Sequence, residues 1–184
     1  QLMSNKTNPT RRNFRKASAA GLAATTLVGS VPRMAHAAGS DEIKFCLVGC
    51  GGRGTGAANQ IMNSKGNVKL VAVADAFADK GQRTIQNLTK QHPEKVAVSP
   101  DHVFSGLDAY KKAIDSDCDL VVIATPPGFR PQQFEYAVSK SKHVFMEKPV
   151  ATDAPGVRRV LAAVEDSKKK NMMVGVGLQR RHQP

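Results

Sequence analysis

Short apolar runs alternate with longer amphipathic segments along most of this 184-residue chain. The apolar runs have the length of strands and are rich in Val, Ile and Leu, whereas the segments between them repeat their apolar residues at helical spacing. The run at 119–124 is almost continuously apolar, which is typical of a strand buried on both faces. Strands that alternate with helices predict an α/β domain with a doubly wound parallel sheet, that is, a Rossmann-like fold.

The pattern predicts eleven elements after the first 40 residues. The predicted strands cover 43–48, 68–75, 103–104, 119–124, 143–146 and 172–176. The predicted helices cover 53–64, 79–91, 107–115, 132–139 and 154–169. Right-handed crossovers place the loops that follow parallel strands at one edge of the sheet, so ligand-binding residues are expected in those loops.

The first strand runs directly into a G-x-G-x-x-G pattern at Gly49 to Gly54, and a helix-compatible segment follows. In this context the pattern predicts a dinucleotide-binding turn. Gly49 permits the tight turn, Gly51 leaves room for a pyrophosphate, and Gly54 allows the helix to pack close to the sheet. The pyrophosphate is expected at the helix N-terminus, where free N–H groups and the helix dipole favour an anion.

Asp75 closes the second predicted strand, about 21 residues after Gly54. A carboxylate at this position accepts hydrogen bonds from the adenosine ribose hydroxyls and repels a 2′-phosphate, so the sequence favours NAD over NADP. Lys80 and Arg83 lie just downstream and could soften this preference. The alternative interpretation is a structural glycine turn followed by a surface aspartate.

Two further strand ends carry candidate chemistry. Ala124, Thr125 and Pro126 begin a loop with two consecutive prolines, which could line a pocket with rigid backbone. Glu147-Lys148-Pro149 follows the fifth predicted strand, and a lysine beside a carboxylate at such a position can act as an acid/base or polarise a hydroxyl. The alternatives are an ordinary turn for the first loop and a surface ion pair for the second.

These segments together resemble the glucose–fructose oxidoreductase / inositol dehydrogenase / MocA family. The matching segments are 48–54, 72–75, 122–127, 142–149 and 174–181. The most specific is Lys142-His143-Val144-Phe145-Met146-Glu147-Lys148-Pro149, a near-complete K-H-V-x-x-E-K-P signature. The resemblance covers essentially all of residues 43–181.

The resemblance implies a nicotinamide-dependent oxidoreductase that acts on sugars or cyclitols. It implies that Lys148 is catalytic and points toward the nicotinamide and the substrate hydroxyl, with Pro149 often in a cis peptide. The expected cofactor-binding residues are Gly49, Cys50, Gly51, Gly52, Arg53, Gly54, Asp75, Ala124, Thr125, Pro126, Glu147 and Lys148.

The chain departs from the family pattern in two places. A histidine often stands near the start of the helix after the Pro-Pro loop, but here the residues are Phe129-Arg130-Pro131-Gln132-Gln133. The family's second domain supplies the substrate pocket and an acid/base histidine. We therefore expect residues 38–184 to be the NAD(P)-binding fragment of a longer protein whose C-terminal α/β substrate domain is absent here.

A small sugar-like substrate would then bind through the missing domain, and the full-length parent is expected to be a homo-oligomer. Two other functions stay open. Some exported relatives resemble glycosidases that use bound NAD transiently, and this is the second hypothesis. As it stands, the fragment could also be a non-catalytic nucleotide-binding protein.

Residues 1–37 have the organisation of an export signal. Arg11 and Arg12 form a twin-arginine pattern, an apolar stretch too short for a membrane span follows, and Ala35-His36-Ala37 supplies a small-x-small cleavage site. The twin-arginine route carries folded proteins, so we expect the protein to reach the periplasm with its nucleotide already bound.

Charge and cysteine usage exclude several other classes. Half of the formal charge of +12 comes from residues 1–37, and the remaining basic residues are dispersed with few aromatic neighbours, which argues against a nucleic-acid surface. The three cysteines and five histidines show no metal-ligand spacing, so no metal site is expected. Cys46 is expected in the core, and Cys50 is expected to pack the loop rather than act as a reactive thiol.

Overall fold

The computed structural model describes residues 41–182. The predicted export signal at 1–37 lies outside this range. None of the helices within the described range has both the length and the apolar character needed to cross a bilayer.

Within residues 41–182, six parallel strands form one sheet in the spatial order β3-β2-β1-β4-β5-β6. Their bounds are β1 Ile43–Val48, β2 Val68–Asp75, β3 Val103–Ser105, β4 Leu120–Ile123, β5 His143–Met146 and β6 Val174–Val176. The chain places β2 and β3 on one side of β1, and then crosses over to place β4, β5 and β6 on its other side. The predicted doubly wound parallel fold is therefore confirmed, and its topological switch point lies at the carboxyl ends of β1 and β4.

Five α-helices accompany these strands in the described part of the chain. Their bounds are α1 Gly52–Met62, α2 Ala78–Gln91, α3 Ala109–Asp115, α4 Arg130–Ser139 and α5 Ala154–Lys169. Short 3₁₀ turns at Pro100–His102 and Gln179–His182 were not predicted. Pro93 follows the end of α2, as expected for a residue that cannot continue a helix.

Several element bounds differ from the sequence prediction by one or two residues; for example, α1 ends at Met62 rather than at 64, and α3 begins at Ala109 rather than at 107. Two of these differences have identifiable reasons. Helix α4 begins at Arg130 rather than at Gln132, because Pro131 in its first turn needs no N–H partner and already has a helical φ. Strand β6 begins at Val174 rather than at Met172. Asn171 has a left-handed φ of 55°, and the Met172 N–H donates to the Ser167 carbonyl, so these two residues close α5 instead of starting the strand.

Alternate side chains of β1 enter two apolar layers, one on each face of the sheet. Phe45 and Leu47 pack in the layer that contains α1 and α2, whereas Cys46 and Val48 pack in the layer that contains α3, α4 and α5. All four side chains are at most 2% exposed. A fully buried Phe, Leu or Val side chain contributes roughly 1.5–3 kcal/mol, so the central strand anchors both layers and holds its carboxyl end in a fixed place.

Candidate functional site

A cleft of about 710 Å³ opens at the carboxyl ends of β1, β2 and β4. Ligands of open α/β sheets bind at this edge, beside the topological switch point. Nine of the twelve predicted cofactor-binding residues line the cleft: Gly49, Gly51, Gly52, Arg53, Gly54, Asp75, Ala124, Thr125 and Pro126. Cys50, Glu147 and Lys148 are not among its lining residues, and each has a different position.

Two glycines of the turn are required by close packing within the protein, independently of any ligand. Gly49 has a φ of 98°, and a Cβ there would lie 2.6 Å from the Thr125 nitrogen. A Cβ on Gly54 would lie 1.9 Å from the Gly49 carbonyl oxygen. Both distances are far below van der Waals contact, so these glycines let the β1–α1 turn, helix α1 and the β4 loop approach one another.

The other two glycines of the turn face open space. A Cβ on Gly51 or Gly52 would meet no protein atom within 4 Å. Gly51 is the N-cap of α1, no side chain caps the helix, and its first turn has no acidic residue. An uncapped helix N-terminus that faces a glycine-lined space fits the pyrophosphate of a dinucleotide.

The carboxylate of Asp75 is held in place by two main-chain amides. The Cys50 N–H donates to Oδ2 at 2.7 Å, and the Phe77 N–H donates to Oδ1 at 3.0 Å. These bonds orient Asp75 at the cleft and join the end of β2 to the glycine turn. Carboxylate oxygens accept more than one hydrogen bond, so Asp75 can still accept from ribose hydroxyls.

Apolar side chains that the sequence analysis did not predict form part of the cleft wall. Phe77 and Leu107 line it and remain 66% and 71% exposed, while Tyr110 is buried deeper. Large apolar side chains exposed on the walls of a cleft can cover a flat aromatic ring. A signal for Phe77 and Leu107 was present in the sequence, because each stands two residues beyond a strand end, at Asp75 and Ser105 respectively.

Cys50 contributes its main chain to the site, while its thiol faces the core. The side chain is 4% exposed, and Thr84 of α2 donates a hydrogen bond to the Cys50 carbonyl at 3.0 Å. Burial, with a smaller effect of the nearby Asp75 charge, raises the pKa of the Cys50 thiol to about 12. A thiol with this pKa is protonated at neutral pH, which agrees with a packing role rather than a reactive one.

Glu147 is nearly buried and pairs with Arg53 rather than with its neighbour Lys148. Its Oε1 accepts from Arg53 Nε at 2.7 Å and lies 2.5 Å from Arg53 Nη2, while the residue is 4% exposed. A Cβ on Gly177 would lie 2.8 Å from the Glu147 carboxylate, so Gly177 makes room for this pair. The pair therefore connects the loop after β5 to the first turn of α1.

Lys148 is exposed and lies between Glu147 and a cis peptide to Pro149. It belongs to the same loop layer as the glycine turn, because β5 is parallel to β4 and β4 to β1. In the part of the chain that the structure describes, no group of His, Cys, Asp or Glu residues is arranged to hold a metal ion.

The loop after β4 is held by two residues of α4 that sequence reasoning did not assign to the site. Thr125 Oγ1 donates to Gln133 Oε1 at 2.6 Å, and Arg130 Nε donates to the Thr125 carbonyl at 2.8 Å. Both α4 side chains are nearly buried and line the cleft. The sequence marked this segment only as a departure from the family pattern, and polar residues at the start of a helix are usually exposed, so neither residue was given a role.

The fold and the cleft define a Rossmann domain for a dinucleotide. The family described as "Oxidoreductase family, NAD-binding Rossmann fold" (Gfo/Idh/MocA) matches residues 43–176. The chain belongs to this family of NAD-binding Rossmann domains.

The chain is also similar in sequence to known proteins. Inositol 2-dehydrogenase of Rhizobium meliloti (strain 1021) is 33% identical over 142 residues, which cover 77% of this chain and 38% of the relative. A glycosyl hydrolase family 109 protein of Shewanella baltica (strain OS185) is 27% identical over 181 residues, which cover 89% of this chain and 39% of the relative. The chain thus spans less than half the length of these relatives.

A solved structure with the same fold is that of scyllo-inositol dehydrogenase from Lactobacillus casei with bound NAD(H) and scyllo-inositol. It superposes with a TM-score of 0.59 at 24% identity, covering 77% of this chain and 38% of that chain. At this identity the likeness concerns the fold.

Proposed function

We propose that this chain is the NAD-binding domain of an oxidoreductase that transfers hydride between NAD and a hydroxyl-bearing carbon of a sugar or cyclitol. The observation that carries the proposal is the connection between two loops at one sheet edge. Glu147, which directly precedes Lys148, is bound to Arg53 in the first turn of the dinucleotide-binding helix. A catalytic lysine and the cofactor site are thereby held in one layer.

Each group of this chain has a definite task in the proposed reaction. The amide groups at the start of α1 and the space above Gly51 and Gly52 hold the pyrophosphate, and Asp75 holds the adenosine ribose. NAD, when bound, supplies the hydride-accepting or hydride-donating ring. Lys148 binds the substrate hydroxyl through its ammonium group and orients it.

We propose that a second domain completes the substrate pocket. The chain spans 38% of inositol 2-dehydrogenase of Rhizobium meliloti. Lys148 is exposed and supplies a single titratable group, whereas hydride transfer from an alcohol also requires a group that accepts the hydroxyl proton. Residues 38–184 alone are therefore expected to bind NAD and to show no dehydrogenase turnover, and turnover by this segment would contradict the proposal.

The experiment that tests the proposal is Lys148→Ala in the full-length protein. We expect kcat to fall by roughly 10²-fold or more, because the substrate hydroxyl is no longer held and oriented beside the nicotinamide. The dissociation constant for NAD should stay within about twofold, because the pyrophosphate contacts come from the glycine turn. Lys140→Ala is the matched control, because this lysine lies at the end of α4 with an ion pair to Asp115. Unchanged kcat in Lys148→Ala would overturn the proposed role.

A second candidate function is hydrolysis of a glycoside with transient use of NAD. It is favoured by the similarity to the glycosyl hydrolase family 109 protein of Shewanella baltica. Net turnover of free NAD separates the two candidates. A dehydrogenase reduces one NAD for each substrate oxidised, whereas the glycosidase releases its sugar with no net change in NADH absorbance.

We also propose that Asp75 makes the site prefer NAD over NADP. Both carboxylate oxygens are fixed by main-chain amides, so the charge cannot turn away from a 2′-phosphate. Lys80 lines the same cleft and opposes this repulsion. Calorimetric titration of the chain with both cofactors is the test, and tighter binding of NADP would contradict the preference.

Finally, we propose that the protein is exported to the periplasm by the twin-arginine route. The support is the order of the arginine pair, apolar stretch and Ala35-His36-Ala37 site in the sequence. The double variant Arg11→Lys, Arg12→Lys keeps the charge but removes the arginine pair. It is expected to leave the precursor in the cytoplasm, as measured by cell fractionation, and normal export of this variant would contradict the proposal.

A further inference from the structure

Arg130 is a charged side chain that the structure places almost entirely out of water. It is the first residue of α4 and is only 6% exposed. A guanidinium remains protonated at physiological pH and loses hydration when it is buried, so a buried arginine needs several good acceptors. Burial lowers the pKa of Arg130, and the charge of Glu147 opposes this shift.

The acceptors of Arg130 are main-chain carbonyls of two separate loops. Within residues 41–182, Nε donates to the Thr125 carbonyl at 2.8 Å, and Nη1 donates to the carbonyls of Glu147 at 2.6 Å and Pro149 at 2.5 Å. The first carbonyl belongs to the loop after β4, which lines the NAD cleft. The other two belong to the residues immediately before and after Lys148.

We propose that Arg130 is the positioning residue for Lys148. One guanidinium nitrogen binds the main chain on both sides of Lys148, and another nitrogen of the same planar group binds the wall of the NAD cleft. The distance between the lysine backbone and the cleft is thereby set by a rigid group rather than by a flexible loop. This inference rests on the proposed function, because it assigns Arg130 a role only through Lys148.

The chemistry of the side chain explains why arginine is required. Its five N–H donors lie in one plane and diverge, so a single residue can bind three carbonyls that face it from two loops. A lysine in its place keeps the positive charge, but its single nitrogen cannot reach both loops. Arg130→Lys is therefore the informative substitution, since it separates the geometry of the guanidinium from its charge.

The kinetic test uses the full-length protein. In Arg130→Lys we expect kcat to fall about 10- to 100-fold, the cost of a misplaced reacting group, while the dissociation constant for NAD stays within about twofold. The same substitution in a Lys148→Ala background should have little further effect, because the group that Arg130 positions is already gone. Arg159→Lys is the matched control, since this half-exposed arginine pairs with Glu135 on the surface of α4. An unchanged kcat in Arg130→Lys, or an equal loss in both backgrounds, would overturn the proposal.

Hydrogen exchange supplies a readout that does not depend on activity. In the chain itself, Arg130→Lys should accelerate amide exchange in the segment 143–150 at least about tenfold while leaving the glycine turn at 48–55 unchanged. Equal acceleration of both segments would show a general loss of stability and would overturn the positioning role. Arg130→Gln, which removes the charge, replaces Arg130→Lys if the latter does not fold, and the same pattern of exchange is expected.

The two measurements separate this inference from the proposed function. If Lys148→Ala retains full turnover, the catalytic role of Lys148 fails whatever Arg130 does. If Lys148→Ala is inactive but exchange in 143–150 is unaffected by Arg130→Lys, the proposed function survives and the positioning role of Arg130 is wrong.

Discussion

The glycine turn after β1 and the loop after β5 lie at the same edge of the sheet but are held by different means. The turn depends on the lack of side chains at two positions. Gly49 and Gly54 allow main-chain atoms to approach so closely that any Cβ would collide. The loop after β5 is instead held by side-chain interactions: Glu147 binds Arg53, and Arg130 binds the carbonyls on either side of Lys148. A turn of the first kind leaves a short local pattern in the sequence, whereas a loop of the second kind depends on partners from other elements.

Gly54→Ala should produce the largest effect, because it breaks the turn from within. The new Cβ would lie 1.9 Å from the Gly49 carbonyl oxygen, and main-chain atoms cannot move aside as a flexible side chain can. We expect the free energy of unfolding to fall by about 3 kcal/mol or more, measured by denaturant unfolding. Gly56→Ala is the control in the same helix: its Cβ meets nothing within 4 Å, and helix propensity favours alanine by roughly 0.5–1 kcal/mol. Equal stability of the two variants would contradict the packing role of Gly54.

Gly51→Val should remove NAD binding while preserving the fold. The valine would meet no protein atom within 4 Å of its Cβ, and the φ of −76° at Gly51 is an ordinary value for valine. Its branched side chain would occupy the space of the pyrophosphate, so we expect affinity for NAD to fall at least about 100-fold. Calorimetry measures the binding, and circular dichroism checks the fold. A folded variant with normal affinity would show that the glycine turn is not the phosphate site.

Gly177→Ala tests the loop that side chains hold. A Cβ there would lie 2.8 Å from the Glu147 carboxylate, so Glu147 must shift away from Arg53. The expected loss of stability is about 1–3 kcal/mol, because a side chain can yield where the main chain cannot. In Gly175→Ala the nearest atom would be Phe145 Cδ2 at 3.5 Å, an ordinary contact, which makes this variant the matched control. If both variants melt at the same temperature, the Glu147–Arg53 pair does not hold the loop.

The smallest expected effect concerns the reactivity of the Cys50 thiol, which measures how often the glycine turn opens to solvent. Burial raises its pKa to about 12 from an ordinary value of 9.0, so the native thiol is protonated at pH 8. The unfolded chain loses this proton at lower pH than the native chain, so this group makes the protein less stable as pH rises above about 9. We expect iodoacetamide to modify Cys50 at pH 8 at least about tenfold more slowly in the folded chain than in urea. Equal rates, measured by mass spectrometry, would show that the turn opens readily.

Much of the fold could be predicted because its signals are local. The buried strand of β4 is recognisable from its continuous apolar run, and the end of α2 from Pro93. The prediction was less accurate where a tertiary contact overrides the pattern. Met172 is apolar and precedes a strand, but its N–H closes the end of α5, so β6 begins two residues later.

The candidate site likewise has a part that local sequence signals predict and a part that depends on tertiary contacts. The spacing of the glycines and Asp75 predicts the NAD cleft, because the turn and the helix N-terminus are neighbours along the chain and Asp75 follows at the spacing typical of a dinucleotide-binding unit. The sequence prediction assigned no role to Arg130 or Gln133 and considered an ion pair between Glu147 and Lys148. In the structure Glu147 instead binds Arg53, which is 94 residues away in the sequence.

By itself, the sequence determined the order of strands and helices, the glycine turn and the acid at the end of β2, since each depends on backbone conformation or apolar periodicity within a few residues. Only the tertiary structure decided which charged side chains are buried and what they bind. The guanidinium of Arg130 and the carboxylate of Glu147 are stable out of water only because acceptors and donors from distant loops surround them. Those partners come together through the packing of the sheet and its helices, and no local pattern records them.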